Sequence, residues 1–169
     1  MEAIFIRRSI RKYRNQPVEK EKIDKLLRAA MQAPSAGNQQ PWEFIVVQEK
    51  ENLIKLSGMS SYSKPVKDAP LALVLLGNEE RMRFPENWQQ DMGAATENIL
   101  LQVVELELGA VCLGAAPNED RVSYIKEMFD LPEHIKPFCI IAIGYPADGQ
   151  ENKFVDRYDE KRVHVEEFS

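Results

Sequence analysis

The feature that most constrains the fold is an almost unbroken apolar run, Ala-Pro-Leu-Ala-Leu-Val-Leu-Leu-Gly, at residues 69–77. A run of this kind, rich in Leu and Val and bounded by Pro and Gly, is typical of a strand buried on both faces. Such a strand needs neighbouring strands beside it and helices packed on its faces. Three further apolar segments predict the other strands, at residues 43–48, 110–114 and 138–144.

Segments with helical periodicity alternate with these strands, at residues 2–8, 19–32, 50–58, 91–108 and 118–129. The segment at 91–108 is the strongest, and Gly109 is expected to end it. Its apolar residues cover more than one face, which predicts a helix in the centre of the core or against another subunit. The alternation predicts an α/β or α+β fold with a mixed sheet.

The length of 169 residues fits one domain, which we take as residues 1–169. The charged residues 145–169 contain too little apolar content for a second domain, and we interpret them as a C-terminal extension. Four of its side chains could still dock on another surface, such as a neighbouring subunit: Phe154, Tyr158, Val163 and Phe168.

Composition excludes several classes of function. The chain has 22 Lys and Arg against 27 Asp and Glu, a net charge of −5, whereas nucleic-acid-binding proteins are usually basic. No signal peptide and no membrane span are recognisable, so we expect a cytoplasmic protein. Cys112 and Cys139 lie in apolar runs, which predicts two buried free thiols in a reducing compartment. His134 and His164 are isolated, and we expect no metal site.

The basic segment at residues 7–14, Arg-Arg-Ser-Ile-Arg-Lys-Tyr-Arg, is a local exception in this acidic chain. Arg7, Arg8 and Arg11 could converge with the Ser9 hydroxyl on one anion, because a guanidinium offers two donors to two phosphate oxygens. The alternative is a solvated basic patch beside acidic helices.

Two turn-like segments are further candidates. The loop at residues 34–42, Pro-Ser-Ala-Gly-Asn-Gln-Gln-Pro-Trp, combines small residues with side-chain amides that could pair with the edge of a heterocycle. The segment Leu-Gly-Ala-Ala-Pro at residues 113–117 ends a strand, a common place for ligands in α/β proteins. The alternative for residues 34–42 is an ordinary helix-to-strand connection, and the alternative for residues 113–117 is a routine turn.

Five segments, in order along nearly the whole chain, together resemble the flavin mononucleotide (FMN)-dependent nitroreductase family. They are the basic segment at 7–13, the small-residue loop and strand at 34–47, the helix at 91–101, the Leu-Gly strand and turn at 107–120, and residues 156–164. The resemblance implies an α+β sandwich with a mixed central sheet flanked by helices. It also implies a homodimer with FMN at the interface, in which the C-terminal extension is exchanged.

The resemblance assigns roles by position. Arg7, Arg8 and Ser9 would hold the FMN phosphate and ribityl chain, and Arg11 would lie near the pyrimidine edge of the flavin. Gly114 and Ala115 would bring backbone groups near flavin N5, and Arg157 would reach the phosphate, with Arg162 a weaker candidate. The residues expected to approach the flavin of the partner subunit are Pro34, Ser35, Ala36 and Asn38.

The implied activity is an oxidoreductase that passes hydride from NADH or NADPH to FMN and then to a nitroaromatic, quinone or related acceptor, with ping-pong kinetics. No side chain need act as a catalyst. The segment at residues 78–90 is short, whereas longer members of the family build a helix over the substrate in this region. Its shortness predicts an open acceptor site. Two alternatives remain open: an FMN-holding or flavin-sensing protein without efficient turnover, and an interaction protein whose basic segment binds an acidic partner.

Overall fold

The computed structural model describes residues 2–168, so Met1 and Ser169 of the predicted domain lie outside the described residues. Helices and strands alternate along most of this range. In chain order they are α1 (Ala3–Ile6), α2 (Lys20–Met31), β1 (Trp42–Val47), α3 (Lys50–Leu56), α4 (Pro65–Asp68), β2 (Leu71–Asn78), α5 (Trp88–Glu105), β3 (Gly109–Gly114), α6 (Glu119–Met128) and β4 (Ile135–Gly144).

The four strands form one sheet in the order β1-β2-β4-β3. Strand β2 lies between two neighbours, and residues 71–75 have no exposed surface, as its apolar run predicts. The α+β class is confirmed, but the expectation of a mixed sheet is wrong for these strands, because all three pairs are antiparallel. Parallel pairing occurs at an isolated bridge between Ser9 and Ala110, beside β3.

Alternate residues of β2 point into two separate apolar layers. Leu71, Leu73 and Leu75 face a layer that includes buried residues of α2 and α5. Ala72, Val74 and Leu76 face the other layer, to which α3, α4 and α6 contribute. Helices therefore cover both faces of the sheet, and the edges at β1 and β3 are the open sides.

Helix α5 lies in the core, as its broad apolar surface predicts, with Met92, Ala95 and Ile99 fully buried. Gly109, however, does not end the helix. The helix ends at Glu105, and Glu107 takes the left-handed backbone conformation at φ 59°. Gly109 instead begins β3, where a Cβ atom would lie 2.7 Å from Cβ of Ile10. This glycine allows the N-terminal segment to pack directly on the strand.

The chain beyond β4 forms little regular structure, and between residues 145 and 168 one short 3₁₀ turn occurs at Glu160–Arg162. Large apolar side chains in this extension are exposed: 61% for Phe154, 74% for Tyr158 and 92% for Phe168. No helix within residues 2–168 has both the length and the apolar character needed to cross a membrane.

Candidate functional site

The basic segment lies against the outer edge of β3. Ile10 N donates to Ala110 O at 2.9 Å, beside the parallel bridge between Ser9 and Ala110. The segment then leaves β3, and Tyr13 forms a second bridge with Pro146 after β4. The N-terminal chain thus runs beside only the first part of β3 and leaves the rest of that edge open.

Two amides of the C-terminal extension hold the basic segment in place. Asn152 Oδ1 accepts from Arg8 N at 3.0 Å, while Asn152 Nδ2 donates to Leu108 O at 3.1 Å. Gln150 Oε1 accepts from Arg11 N at 3.2 Å. Sequence reasoning missed both residues, because a single amide in a polar stretch has no periodic signal. Both amides accept from backbone N–H groups, so holding the segment does not use the guanidinium groups of Arg8 and Arg11.

Arg7 and Arg8 differ in how their guanidinium groups are satisfied. Arg7 Nε lies 3.7 Å from Glu97 Oε1 of α5. Arg8 Nη1 donates to Arg7 O at 2.9 Å, whereas Arg8 Nη2 is buried and has no hydrogen-bond partner among the described residues. Buried polar atoms in folded proteins almost always have a partner. An unpartnered guanidinium nitrogen therefore indicates a missing acceptor.

A cavity of about 280 Å³ brings Arg7, Arg8 and Arg157 together. Its remaining lining residues come from the same two segments: Ile4, Phe5, Phe154, Val155, Asp156 and Tyr158. Arg162 does not line this cavity, and its Nε instead contacts Asp159 Oδ2 at 3.1 Å. Three guanidinium groups around one cavity suit an anion such as a phosphate, since each can offer paired N–H donors.

Ser9 and Arg11 lie next to this cavity in sequence but do not line it. Ser9 is exposed, and its carbonyl oxygen accepts from Arg11 Nη1 at 3.3 Å. Arg11 lines a second, larger groove of about 980 Å³, together with Lys12 and Arg14. The arginines of the basic segment therefore line two separate openings and do not converge on one anion site.

The small-residue loop is fastened to the first turn of α5 by a buried carboxylate. Asp91 is 4% exposed, and its Oδ1 accepts from Ala36 N at 2.9 Å. Its Oδ2 accepts from Gln39 Nε2 at 2.5 Å, and Gln39 Oε1 accepts in turn from Phe84 N at 2.9 Å. Sequence analysis did not identify Asp91 or Gln39 as the residues that shape this loop.

The loop presents its small residues at the surface. Pro34 and Asn38 are exposed, Ser35 and Ala36 are half-buried, and Ser35 Oγ accepts from Gln40 N at 3.0 Å. Gly37 has φ 53°, and a Cβ there would collide with the Phe84 ring. Phe84 therefore fills the space that the missing side chain of Gly37 leaves.

The backbone of the β3 turn offers one outward N–H. Ala115 N donates to Phe138 O of β4 at 2.9 Å. Because N–H groups alternate in direction along an antiparallel strand, Gly114 N points to the opposite, open edge. Gly114 O, on that edge, accepts from Arg121 Nη1 at 2.9 Å. Of the two residues expected to present backbone groups, Gly114 is the one with an outward donor.

The two cysteines differ from the expectation of a buried pair. Cys139 is 1% exposed, as predicted, but Cys112 is exposed, and both are free thiols. The error arises because an apolar sequence run does not reveal that β3 is an edge strand. Among residues 2–168, no cluster of His, Cys, Asp and Glu is arranged to hold a metal ion.

The described chain therefore brings Arg7, Arg8 and Arg157 together and holds the small-residue loop elsewhere, on the first turn of α5. A sequence model described as the nitroreductase family matches residues 4–80 and 60–145, which together cover most of the chain. This chain belongs to the nitroreductase family.

Several proteins are similar to the chain over almost its whole length. A protein of Methanothermobacter thermautotrophicus, provisionally assigned as an NADH dehydrogenase or NAD(P)H nitroreductase, is 45% identical across 99% of this chain and 87% of its own length. A structure from Clostridium acetobutylicum, provisionally assigned as an NADH oxidase, is 61% identical with a TM-score of 0.97, covering 98% and 99% of the two chains. An FMN-dependent nitroreductase from Clostridium difficile is 38% identical with a TM-score of 0.90, covering 99% and 100%.

Proposed function

We propose that this chain is an FMN-dependent oxidoreductase that uses NADH or NADPH to reduce nitroaromatic, quinone or related acceptors. The observation that carries the proposal is the cavity with Arg7, Arg8 and Arg157, in which a buried guanidinium nitrogen lacks an acceptor. The name of the C. difficile relative supplies the cofactor that such an anion site would hold. Two free thiols are consistent with a reducing compartment, and we propose the cytoplasm.

The residues fit FMN in the following way. Arg7, Arg8 and Arg157 would bind the phosphate, and the exposed Ser9 hydroxyl would bind the phosphate or ribityl chain. Gly114 N–H would orient the ring near N5, and Arg11 would lie near the pyrimidine edge. From the partner subunit, the small-residue loop would approach the same flavin with its four exposed or half-exposed residues: Pro34, Ser35, Ala36 and Asn38.

When bound, FMN supplies the hydride chemistry, accepting from the nicotinamide and donating to the acceptor. The protein supplies orientation and charge, and no side chain of this chain need transfer a proton to the reacting atoms. Nicotinamide and acceptor would use the same space in turn, so we expect ping-pong kinetics. Between β2 and α5 the chain forms only two short 3₁₀ turns, Glu79–Arg81 and Pro85–Asn87. This short connection is consistent with an open acceptor site of broad range.

A homodimer is part of the proposal. The exposed apolar residues of the extension, including Phe154, Tyr158 and Phe168, need a surface to cover them. Exchange of the part of this extension beyond Arg157 between two chains would provide one, while Arg157 stays beside Arg7 and Arg8 of its own chain. We therefore expect the protein to elute as a dimer in size-exclusion chromatography with light scattering.

The test is the visible absorption spectrum of the purified protein before and after anaerobic addition of NADH or NADPH. Flavin bands that bleach rapidly are the expected result. Bands that persist with both nucleotides would favour a flavin-holding or flavin-sensing protein, for which the short segment before α5 is the supporting observation. A colourless protein that fails to take up added FMN would refute the proposal.

Replacement of Arg11 by Gln should lower the midpoint potential of the bound flavin. Reduced flavin carries negative charge around N1 and C2=O, and a permanent cation nearby stabilises that form. A loss of about 1.4 kcal/mol corresponds to about 30 mV for a two-electron couple, so we expect a decrease of at least that size in potentiometric titration. Arg28→Gln is the control, because Arg28 is exposed in the last turn of α2 and lines neither the groove of Arg11 nor the cavity of Arg7 and Arg8. An equal potential in wild type and Arg11→Gln would remove Arg11 from the flavin edge.

A further inference from the structure

The second, larger groove, of about 980 Å³, lies at the end of the sheet where β1 and β4 finish and β2 begins. Its charged lining residues are four cations and one carboxylate: Arg11, Lys12, Arg14 and Lys50 against Asp68. The whole chain has a net charge of −5, so this groove reverses the overall sign of the protein. A cleft lined by charge of one sign concentrates ligands of the opposite sign. We call it the basic groove.

The cations of the basic groove have few competing partners. Within residues 2–168, neither Arg11 nor Lys12 forms an ion pair with a carboxylate, and Lys50 Nζ donates to a backbone oxygen. Arg14 Nη2 lies 3.8 Å from Asp148 Oδ1, but both side chains are exposed. Exposed ion pairs contribute little free energy. An anionic ligand can therefore take the remaining N–H donors without breaking a strong contact.

One wall of the basic groove is fixed by backbone hydrogen bonds between the basic segment and the chain after β4. Arg14 N donates to Tyr145 O at 2.8 Å, and Ala147 N donates to Lys12 O at 3.0 Å. The backbone that carries both cations is thus held in place before a ligand arrives. Such preorganisation reduces the entropy that binding costs.

The basic groove has the size and the surface that a nucleotide needs. Ligand sites in proteins measure about 300–1,000 Å³ and combine apolar surface with a few polar groups. Leu53 and Ala69, both largely buried, supply apolar surface together with Pro17 and Pro70. This surface suits a flat base, and the cations around it suit phosphate oxygens.

Arg11 connects the basic groove with the proposed flavin site, because it lines the groove and is proposed to lie near the pyrimidine edge of the flavin. A nicotinamide stacked on the flavin can direct the other half of its dinucleotide into the groove. We propose that the basic groove binds the ADP half of NADPH, that Lys12 and Lys50 contact its 2′-phosphate, and that the enzyme prefers NADPH to NADH. The inference rests on the proposed function.

The charge of the basic groove is what favours NADPH. NADH brings only its pyrophosphate to the four cations, whereas NADPH adds a phosphate monoester with about −1.5 to −2 charges at pH 7. Arg11, the cation assigned to the flavin edge, is placed for the pyrophosphate, and Arg14 already contacts Asp148. Lys12 and Lys50 remain for the 2′-phosphate, whose usual partner is a cationic side chain.

The first measurement compares the second-order rate constants with which NADPH and NADH bleach the flavin of the holoprotein without air. We expect the constant for NADPH to be about tenfold larger or more, the effect of one charge-assisted hydrogen bond. In Lys12→Gln and Lys50→Gln, the ratio of the two constants should fall by about tenfold. Lys55→Gln should keep the wild-type ratio, because Lys55 is exposed on the same helix as Lys50 but does not line the groove.

The second measurement follows binding without the redox reaction. Isothermal titration calorimetry of the holoprotein compares adenosine 2′,5′-bisphosphate, which carries the distinguishing phosphate, with adenosine 5′-monophosphate, which lacks it. We expect the bisphosphate to bind about tenfold more tightly to the wild type and to Lys55→Gln. In Lys12→Gln and Lys50→Gln this difference should shrink by the same factor as the ratio of the rate constants.

The contrary results are separable. Equal rate constants for NADPH and NADH in the wild type would overturn the inference and leave the proposed function intact. A preference for NADPH that survives both lysine replacements would also overturn it, because another part of the protein would then hold the 2′-phosphate. A flavin that neither nucleotide bleaches would overturn the proposed function together with the inference.

Discussion

Replacing Arg8 by Met should weaken FMN binding by about 1.5–3 kcal/mol, or roughly 10- to 150-fold in Kd, and leave the apoprotein at least as stable. Binding is expected to weaken while the stability of the apoprotein is not, because Arg8 Nη2 is buried without a partner in the described chain. A buried unsatisfied donor costs about 1–3 kcal/mol, and more when charged, so its removal offsets the lost bond from Nη1 to Arg7 O. Fluorescence titration with FMN and thermal unfolding without FMN measure the two quantities.

Arg28→Met is the matched control for this prediction. Arg28 is exposed in the last turn of α2, so its replacement removes an equal charge without touching the cavity. We expect its FMN affinity to equal that of the wild type. If Arg8→Met binds FMN as tightly as Arg28→Met, the unpartnered nitrogen does not mark the phosphate site.

Replacing Asp91 by Ala should destabilise the protein by about 3 kcal/mol, because two hydrogen bonds to a buried carboxylate are lost. For a chain of this size, that loss corresponds to a decrease of about 6–12 °C in Tm. The loop at residues 34–42 would also lose its attachment to α5. We therefore expect weaker FMN binding as well, since this loop is proposed to contact the flavin.

Asp120→Ala tests whether the effect of Asp91 comes from its contacts. Asp120 also lies in the first turn of a helix, α6, but it is exposed. Both replacements remove a charge that interacts favourably with a helix N-terminus, a contribution of about 0.3–1 kcal/mol. A Tm for Asp91→Ala within 2 or 3 °C of that for Asp120→Ala, a gap of roughly 1 kcal/mol, would contradict the anchoring role.

Much of the fold could be predicted because burial imposes a period on the sequence. The apolar run at 69–77 predicts β2, and helical spacing predicts α2 to within one residue at each end. The one-turn helix α4 is too short for a periodic pattern and was not predicted. The sequence predicts that Gly109 ends α5 because glycine commonly ends helices. In the structure, the close approach of Ile10 is what requires a glycine at this position.

The candidate site could be predicted where its chemistry resides in contiguous residues, as in the basic segment, and less well where distant segments meet. Asp91 lies 55 residues from its partner Ala36, and Asn152 lies 144 residues from Arg8. Neither pair has a local signature, because polar contacts of this kind are set by the tertiary fold. The exposure of Cys112 was unpredictable for the same reason, since strand order decides which strand is at the edge.

The open part of the β3 edge has a consequence for the fate of newly made protein. An unpaired strand edge is a template on which other chains can add, and folded proteins usually block such edges with charge, bulges or a covering segment. The basic segment covers this edge only at its beginning, and Cys112 and Gly114 lie beyond it. If bound flavin covers the rest of the β3 edge, the supply of flavin governs how much active enzyme a cell contains. It then also governs how much of the chain escapes aggregation.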